Sequence, residues 1–274
     1  MRITNKIKSF LFYFKPRRYV ALYKLYLGDE WLELSVDSIA PYVHDIVFVV
    51  SDIPWGGVDV PGDDLEPILK RLQDKHGKKI HIIKGRWDKQ LEHVKAGLAY
   101  IKKTLPKATH CLYIDSDEVY TRTQIKKLLS LSYSPLYYNR QIRWNYRNYF
   151  KDIYHVIYPE KYPLLMVFFP LRHFIEFVSF RTVNLGRIDM SDHFYEHFAY
   201  VRKDDEAIRR KIEAHRESEP IIGDWYKEVW LKWSPDMKNF HPTNPEFWEG
   251  VRKIDPYELP QGVIEKYNSW KNDQ

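Results

Sequence analysis

The first half of the chain alternates between short apolar runs and amphipathic stretches of helical period. Residues 19–27 and 45–51 predict two strands, and a helix from Glu30 to about Ala40 is predicted between them. A near-continuous apolar run such as IVFVV is typical of a strand that is covered on both faces of a parallel sheet. Strand, helix and strand therefore predict a βαβ unit.

The alternation continues to residue 131. Later strands are predicted at 78–84 and 111–114, and later helices at 65–75, 88–103 and 121–131. The pattern βαβαβαβ predicts an α/β fold with a doubly wound sheet, whose functional site lies at the carboxyl ends of the strands.

The stretch THCLYIDSDEVY, residues 109–120, joins a buried strand to an abrupt acidic end. Asp115 and Asp117 follow the apolar run CLYI, with Ser116 between them. Carboxylates at the end of a buried strand are costly unless something pairs with them, and a divalent cation is a common partner. In a turn that leaves the strand, both aspartates can reach one ion. A solvated turn without a metal is the alternative interpretation, because D-x-D is a short motif.

Other polar residues follow the neighbouring strands. Asp52 comes after the second strand, Arg86 and Trp87 come after the third, and Gln90 opens the next helix. Because the carboxyl ends of parallel strands lie at one edge of a sheet, we expect these residues to share a cleft with Asp115. For Trp87, packing on the start of the helix is the alternative interpretation.

The second half of the chain is less regular. Residues 133–158 interleave aromatic and basic side chains, which predicts an antiparallel hairpin added to the sheet. This hairpin is either an ordinary strand pair or a ligand-binding wall. The organisation that we predict is a basic N-terminal segment at 1–17, a domain at 18–216 with halves 18–131 and 132–216, and a Trp- and Pro-rich extension at 217–274 that packs on the domain.

Composition narrows the functional classes. Cys111 is the only cysteine among 274 residues, so the chain has no disulfide framework and no Cys-based zinc site. The net charge of +6 favours anionic partners such as nucleotide-sugars, acidic lipid headgroups or nucleic acid. Aromatic residues make up 16% of the chain, and their faces stack on sugars and on bases alike. The absence of a P-loop and of G-x-G-x-x-G disfavours ATPases and dehydrogenases.

Membrane signals are weak. No apolar run approaches the ~20 residues of a membrane span. The apolar run Phe10–Phe14 is shorter than a signal-peptide core of ~7–15 residues. The basic, aromatic N-terminal segment is compatible with weak peripheral contact with a membrane. We expect a soluble, cytoplasmic protein.

Two stretches carry a family resemblance. ALYKLYLGDEWLELSVDSIAPYVHDIVFVVSD resembles the opening of inverting glycosyltransferases with the GT-A fold, of the large family two, and CLYIDSDEVY resembles their metal motif. The resemblance covers residues 18–131 well and 193–216, which contains HFAYVRKDDEAIRRKI, more loosely. It implies a GT-A-like mixed sheet with a nucleotide-sugar half and an acceptor half, followed by an irregular, partly helical C-terminal extension.

The resemblance also implies roles for single residues. Asp115, Asp117 and His197 would hold Mn²⁺ or Mg²⁺, although a hydrogen-bonded histidine without a metal is the alternative interpretation for His197. The donor, for which a UDP-sugar is expected, would be bound by Asp52, Arg86, Trp87, Gln90, Asp115 and Ser116.

Inverting transfer requires one general base that takes the proton of the acceptor hydroxyl. The carboxylate candidates are Asp192, Asp189 and Glu176, and we prefer Asp192 because it adjoins the His-rich stretch. The chain departs from the family here, because it lacks a Glu-Asp pair where many members carry their base.

The acceptor remains open. If the aromatic and basic hairpin binds it, Arg143, Trp144 and Arg147 are the candidate contacts, and a glycan or glycoconjugate is the expected acceptor. The same chemistry on DNA, as in phage enzymes that glycosylate hydroxymethylated bases, would use the hairpin to hold phosphates and an extruded base. A nucleic-acid-binding module without catalysis and a nucleotidyltransferase are further alternatives.

Overall fold

The computed structural model describes residues 16–57, 60–161, 166–215, 220–255 and 259–272. Most of the predicted N-terminal segment, residues 1–15, lies outside this description. The fold class is α/β, as predicted, with a curled mixed sheet of ten strands and helices on both of its faces. In the described part of the chain, no helix has the length and apolar character that crossing a membrane requires.

The bounds of the elements agree closely with the prediction for residues 19–131. The strands are β1 (Tyr19–Leu25), β2 (Asp45–Ser51), β3 (Ile80–Gly85), β4 (His110–Ile114), β5 (Glu118–Val119), β6 (Arg140–Phe150), β7 (His155–Ile157), β8 (Met166–Pro170), β9 (Phe177–Ser179), β10 (Thr182–Val183), β11 (Gly186–Tyr200) and β12 (Val251–Lys253). The α-helices are α1 (Asp29–Ile39), α2 (Glu66–His76), α3 (Gln90–Thr104), α4 (Arg122–Ser130), α5 (Asp205–His215) and α6 (Gln261–Asn272).

The parallel part of the sheet has the order β3-β2-β1-β4. Successive side chains of β1 pack on opposite faces because side chains alternate along a strand. Ala21 and Tyr23 belong to the core that includes the apolar faces of α1 and α2. Val20 and Leu22 belong to the core that includes the apolar face of α3. A strand buried on both faces must be almost wholly apolar, which explains the predictive value of these runs.

The second half extends the sheet with a different geometry. Strand β8 pairs antiparallel with β4 and with β6, and β6 pairs parallel with β11. The hairpin predicted in residues 133–158 is present as the antiparallel pair β6–β7, in which Tyr149 lies opposite Val156. The long strand β11 also pairs antiparallel with β5, where His197 lies opposite Glu118. Strand β11 thereby brings a late stretch of the chain next to the end of β4.

Residues 220–255 and 259–272, here called the C-terminal segment, pack on the domain through aromatic rings. Residues 220–255 contact this second half, and α6 also contacts Trp31 of α1. Phe150 of β6 lies at the centre of the contact, with ring centroids 5.0 Å from Phe240 and 5.3 Å from Trp230. Trp230 also donates a hydrogen bond through Nε1 to Asp205 Oδ1 of α5 at 2.7 Å. Strand β12 pairs with β7, so the segment is fixed by the sheet as well as by the rings.

Candidate functional site

Two aspartates leave the sheet where β4 ends. All five residues of β4 are buried, and the chain then turns at Asp115, Ser116 and Asp117 before the short strand β5. Asp117 is only 5% exposed. The pairing of β5 with β11 places His197 beside this turn, although it is 80 residues later in the chain. The topology therefore brings together three residues that the sequence analysis assigned to one metal.

The geometry of this group fits a divalent cation. Asp115, Asp117 and His197 each offer one ligand atom, and these atoms lie within 4.8 Å of one another. Asp115 Oδ1 is buried, and its contact with a described residue is the ion pair with Lys24 Nζ at 3.5 Å, which is too long for a strong hydrogen bond, so this oxygen retains capacity for a ligand. A carboxylate–carboxylate–imidazole set suits Mn²⁺ or Mg²⁺.

His197 is oriented by a neighbouring amide. Its Nδ1 lies 3.2 Å from Asn148 Oδ1 on β6, and its Nε2 lies 3.4 Å from Asp117 Oδ1. Because an amide oxygen only accepts hydrogen bonds, Nδ1 is the donor to Asn148, and Nε2 is the ring atom that faces Asp117. A partner on the far ring nitrogen of this kind is the usual way in which a ligating histidine is fixed.

Cations surround both carboxylates. Asp115 pairs with Arg181 through Oδ2, and Lys24 Nζ lies 3.5 Å from its Oδ1. Burial alone would raise the pKa of Asp115, but the charges of Arg181 and Lys24 outweigh burial and hold this pKa below its ordinary value. Asp115 is therefore an anion at neutral pH despite its burial.

Asp117 has a similar environment on the other side. Arg202 donates to its Oδ2 at 2.7 Å, and Lys211 Nζ lies 3.5 Å away. Burial opposes ionisation, but Lys211, His197 and Arg202 together hold the pKa of Asp117 well below its ordinary value. Arg202 also donates to Glu30 Oε2 at 3.0 Å, so the guanidinium bridges two buried carboxylates.

These groups lie in the wall of a cavity of about 350 Å³. Its lining combines an ionic part with a ring-lined part. The ionic part includes Lys24, Glu30, Asp63, Asp115, Asp117, Arg181, His197, Arg202, Arg210 and Lys211, and the ring-lined part includes Trp55, Tyr146, Phe180, Tyr200, His241, Phe247 and Trp248. A volume of this size accommodates a small-molecule ligand.

The other predicted donor residues divide into two groups. Gln90 and Ser116 line the cavity. Asp52 and Arg86 are exposed and lie outside the lining. Trp87 also lies outside it and stacks on His93, with ring centroids 4.8 Å apart.

The predicted acceptor residues on β6 do not reach the cavity. Trp144 is 1% exposed and packs in the hydrophobic core. Arg143 donates to both carboxylate oxygens of Asp189, at 2.8 and 2.9 Å. Arg147 is half-buried and is absent from the cavity lining.

The candidate general bases also lie outside the cavity. Asp192 is exposed and contacts His193 Nδ1 at 2.6 Å. Asp189 is engaged by Arg143, and Glu176 is exposed beside β9. None of the three lines the cavity.

The sequence analysis missed several lining residues. Glu160 and Arg181 carry no local motif, and Lys211 belongs to the stretch HFAYVRKDDEAIRRKI without a role that the resemblance assigned to it. Lys24 could have been identified from the sequence, because it is the only charged residue in the otherwise apolar strand YVALYKL. A lysine there requires an anionic partner, and Asp115 supplies it.

Comparisons with known proteins give only distant likeness. No protein-family model and no curated protein matches the chain. Among solved structures it is similar to S. aureus TarS 1–349, with 9% identity, a TM-score of 0.43, and coverage of 73% of this chain and 65% of that chain. The chain thus spans less than two thirds of that protein's length.

Two synthases show weaker similarity. One is a 4-diphosphocytidyl-2C-methyl-D-erythritol synthase, with 14% identity, a TM-score of 0.37, and coverage of 57% of this chain and 76% of that chain. The other is the synthase of that name from Anaerococcus prevotii DSM 20548, with 14% identity, a TM-score of 0.36, and coverage of 93% and 96%. At these identities and TM-scores the likeness carries no argument about function, so the functional argument rests on the cavity.

Proposed function

We propose that this chain is a metal-dependent glycosyltransferase, which moves a sugar from a nucleotide-sugar to an acceptor hydroxyl with inversion. The observation that carries the proposal is the group Asp115, Asp117 and His197, which lies in a cavity large enough for a ligand and rich in cations. The family resemblance of residues 18–131 supports the same assignment. The proposed donor is a UDP-sugar, and the proposed acceptor is a glycan or glycoconjugate.

The ionic part of the cavity suits a diphosphate. When bound, Mn²⁺ or Mg²⁺ would supply Lewis-acid stabilisation of the charge that develops on the leaving diphosphate. Arg181, Arg202 and Lys211 are preoriented by the carboxylates that they contact, so they are available to phosphate oxygens without a large loss of side-chain entropy. Fixed cations of this kind bind the diphosphate of the donor and of the product alike.

DNA as the acceptor receives less support. That alternative requires cations and rings on residues 133–158 that are available to a nucleic acid. Trp144 is instead in the core, and Arg143 is engaged by Asp189. A cavity rather than an extended basic groove favours a small donor and a glycan acceptor.

A thermal-shift experiment tests the proposal. UDP, GDP, CMP and dTDP are each added with and without Mn²⁺, and we expect one nucleoside diphosphate, UDP, to raise the melting temperature only when the metal is present. A ligand at ~100 times its Kd adds about 2.7 kcal/mol of stability, which is a shift of several degrees for a chain of this size. The proposal is wrong if no nucleotide shifts the melting temperature under any metal condition.

Gly28 gives a structural prediction for the same site. A Cβ at this position would lie 2.1 Å from Ser116 Oγ, and the Gly28 φ of 123° is unfavourable for any other residue. Gly28→Ala is therefore expected to cost about 1–3 kcal/mol of stability and to weaken nucleotide binding by displacing Ser116. Chemical denaturation and nucleotide titration measure the two effects.

Gly77→Ala is the matched control for Gly28→Ala. Gly77 also has a positive φ, 57°, but a Cβ there meets nothing within 4 Å. This variant is expected to lose stability through backbone strain and to keep wild-type nucleotide affinity. Equal nucleotide affinities in both variants would contradict a role for the contact between Gly28 and Ser116.

A further inference from the structure

Glu160 is a carboxylate whose two oxygens have different environments. Its Oε1 accepts three hydrogen bonds, from Tyr146 OH at 2.9 Å, Asn148 Nδ2 at 3.2 Å and Trp248 Nε1 at 2.9 Å. No described residue donates a hydrogen bond to Oε2. Glu160 lines the cavity, so the side chain is held rigidly while one oxygen remains for a ligand.

The same network connects Glu160 to the metal group. Asn148 accepts from His197 Nδ1 through Oδ1 at 3.2 Å and donates to Glu160 through Nδ2 at 3.2 Å. One amide therefore fixes a metal-ligand candidate and Glu160 relative to each other. Glu160 lies on the side of the cavity where β6 meets the C-terminal segment, to which Trp248 belongs.

Burial sets the proton affinity of Glu160. Burial raises the pKa of the Glu160 carboxyl to about 7, although the three hydrogen bonds to Oε1 lower this pKa. The titratable and charged groups that line the cavity around this network include Tyr146 on β6, His197 and Tyr200 on β11, Arg181, His241 in the C-terminal segment and the adjacent Lys161. Burial lowers the pKa of His241 to about 4, so this imidazole is neutral at pH 7. Burial, and secondarily the Glu160 charge, raises the pKa of Tyr146, which stays a hydrogen-bond donor.

We propose that Glu160 Oε2 is the general base of the transfer, and that the acceptor hydroxyl binds beside it, between β6 and the C-terminal segment. This inference rests on the proposed function. As the acceptor oxygen bonds to the anomeric carbon, the bond from that carbon to the phosphate oxygen breaks, and its electron pair leaves with the nucleoside diphosphate. The proton of the hydroxyl moves to Oε2 and is later lost to solvent. A carboxylate with a pKa near the working pH can take the proton from the hydroxyl and then release it to solvent.

The surroundings also indicate the class of acceptor. Tyr200, Phe247 and Trp248 contribute rings to this side of the cavity. Ring faces stack on the apolar faces of sugars, whereas a hydroxyl requires a hydrogen-bond acceptor such as Oε2. The acceptor that fits is a neutral sugar with a free hydroxyl.

Glu160→Gln tests this role without an identified acceptor. Gln keeps a carbonyl oxygen for the three donors, so the fold and the donor site are expected to persist. The probe is UDP-glucose, UDP-galactose or UDP-N-acetylglucosamine with Mn²⁺ and water as the acceptor, and UDP release gives the rate. We expect the substitution to lower kcat about 100-fold or more. We also expect a wild-type rate that falls as the pH drops below about 7, and a variant that lacks this acid limb.

Controls separate this role from the proposed function. Glu246→Gln is expected to keep the wild-type rate, because Glu246 is an exposed glutamate of the C-terminal segment that does not line the cavity. The Mn²⁺-dependent thermal shift with UDP should persist in Glu160→Gln. A wild-type rate and acid limb in Glu160→Gln, or loss of the limb in Asp192→Asn instead, would overturn the role of Glu160. Absence of any shift in the wild type would overturn the donor site itself, and this role with it.

Discussion

Asp117→Asn is expected to abolish the Mn²⁺-dependent binding of UDP and to lower turnover at least ~1,000-fold. The substitution replaces a charged oxygen ligand with a neutral amide, and hard cations bind such an amide far more weakly. It also leaves Arg202 and Lys211 without the charge that they now share, so the cavity repels a cation. A bound metal contributes several kcal/mol to a transition state, and each 1.4 kcal/mol is a factor of ten in rate.

Folding must be separated from binding in this variant. Arg202 keeps its contact with Glu30 at 3.0 Å, so the buried guanidinium remains paired after the substitution. The melting temperature without ligand reports folding, and Mn²⁺ titration with UDP reports binding. Asp74→Asn is the matched control, because Asp74 is exposed and pairs with Lys70 on the surface of α2. A wild-type response to Mn²⁺ in Asp117→Asn would contradict the proposed metal site.

Phe150→Ala is expected to lower the free energy of unfolding by about 3–5 kcal/mol. The side chain is fully buried, and six rings surround it within 6.1 Å. Removing the ring leaves a cavity that stiff indole neighbours cannot fill. For a chain of this size the melting temperature should fall by about 6 °C or more. Because Phe240 and Trp248 are among the neighbours, the C-terminal segment should loosen before the sheet does.

Limited proteolysis and denaturant unfolding measure these two effects. We expect cleavage after residue 220 to become faster in Phe150→Ala than in the wild type. Phe194→Ala is the matched control, because that ring is 40% exposed and its loss should change stability by less than about 0.5 kcal/mol. An equal loss of stability in both variants would show that the ring cluster does not hold the C-terminal segment in place.

The sequence predicted the structure best for the strands that are buried on both faces of the sheet. In β1, β2 and β4 nearly every side chain lies in a core, so the apolar runs leave few alternatives for the backbone. The abrupt change from CLYI to Asp115 marked the turn that carries Asp115 and Asp117 for the same reason. The fold class and the grouping of Asp115, Asp117 and His197 were therefore predictable from local pattern and resemblance.

The other side of the cavity could not be predicted in this way. In residues 133–158 the alternation predicted strands, but a period of two does not say which face is buried. Trp144, Tyr146 and Asn148 lie on one face of β6, which packs in the core at Trp144 and lines the cavity at Tyr146 and Asn148. Alternation does not show where along the strand this change occurs. The position of Glu160 depends on contacts with Trp248, which is 88 residues later. Contacts over such separations leave no periodic signal in the sequence.

The residues that line the cavity are spread along the sequence from Lys24 to Trp248. This spread has a consequence for the synthesis of the protein. The ribosome delivers β1 to β4, with both aspartates, well before it delivers the C-terminal segment. A nascent chain that ends before residue 220 carries the aspartates but lacks the wall around Glu160. Under the proposed function, such a chain already carries the metal ligands and the diphosphate-binding cations, so the C-terminal segment is required for transfer to the acceptor rather than for binding of the nucleotide.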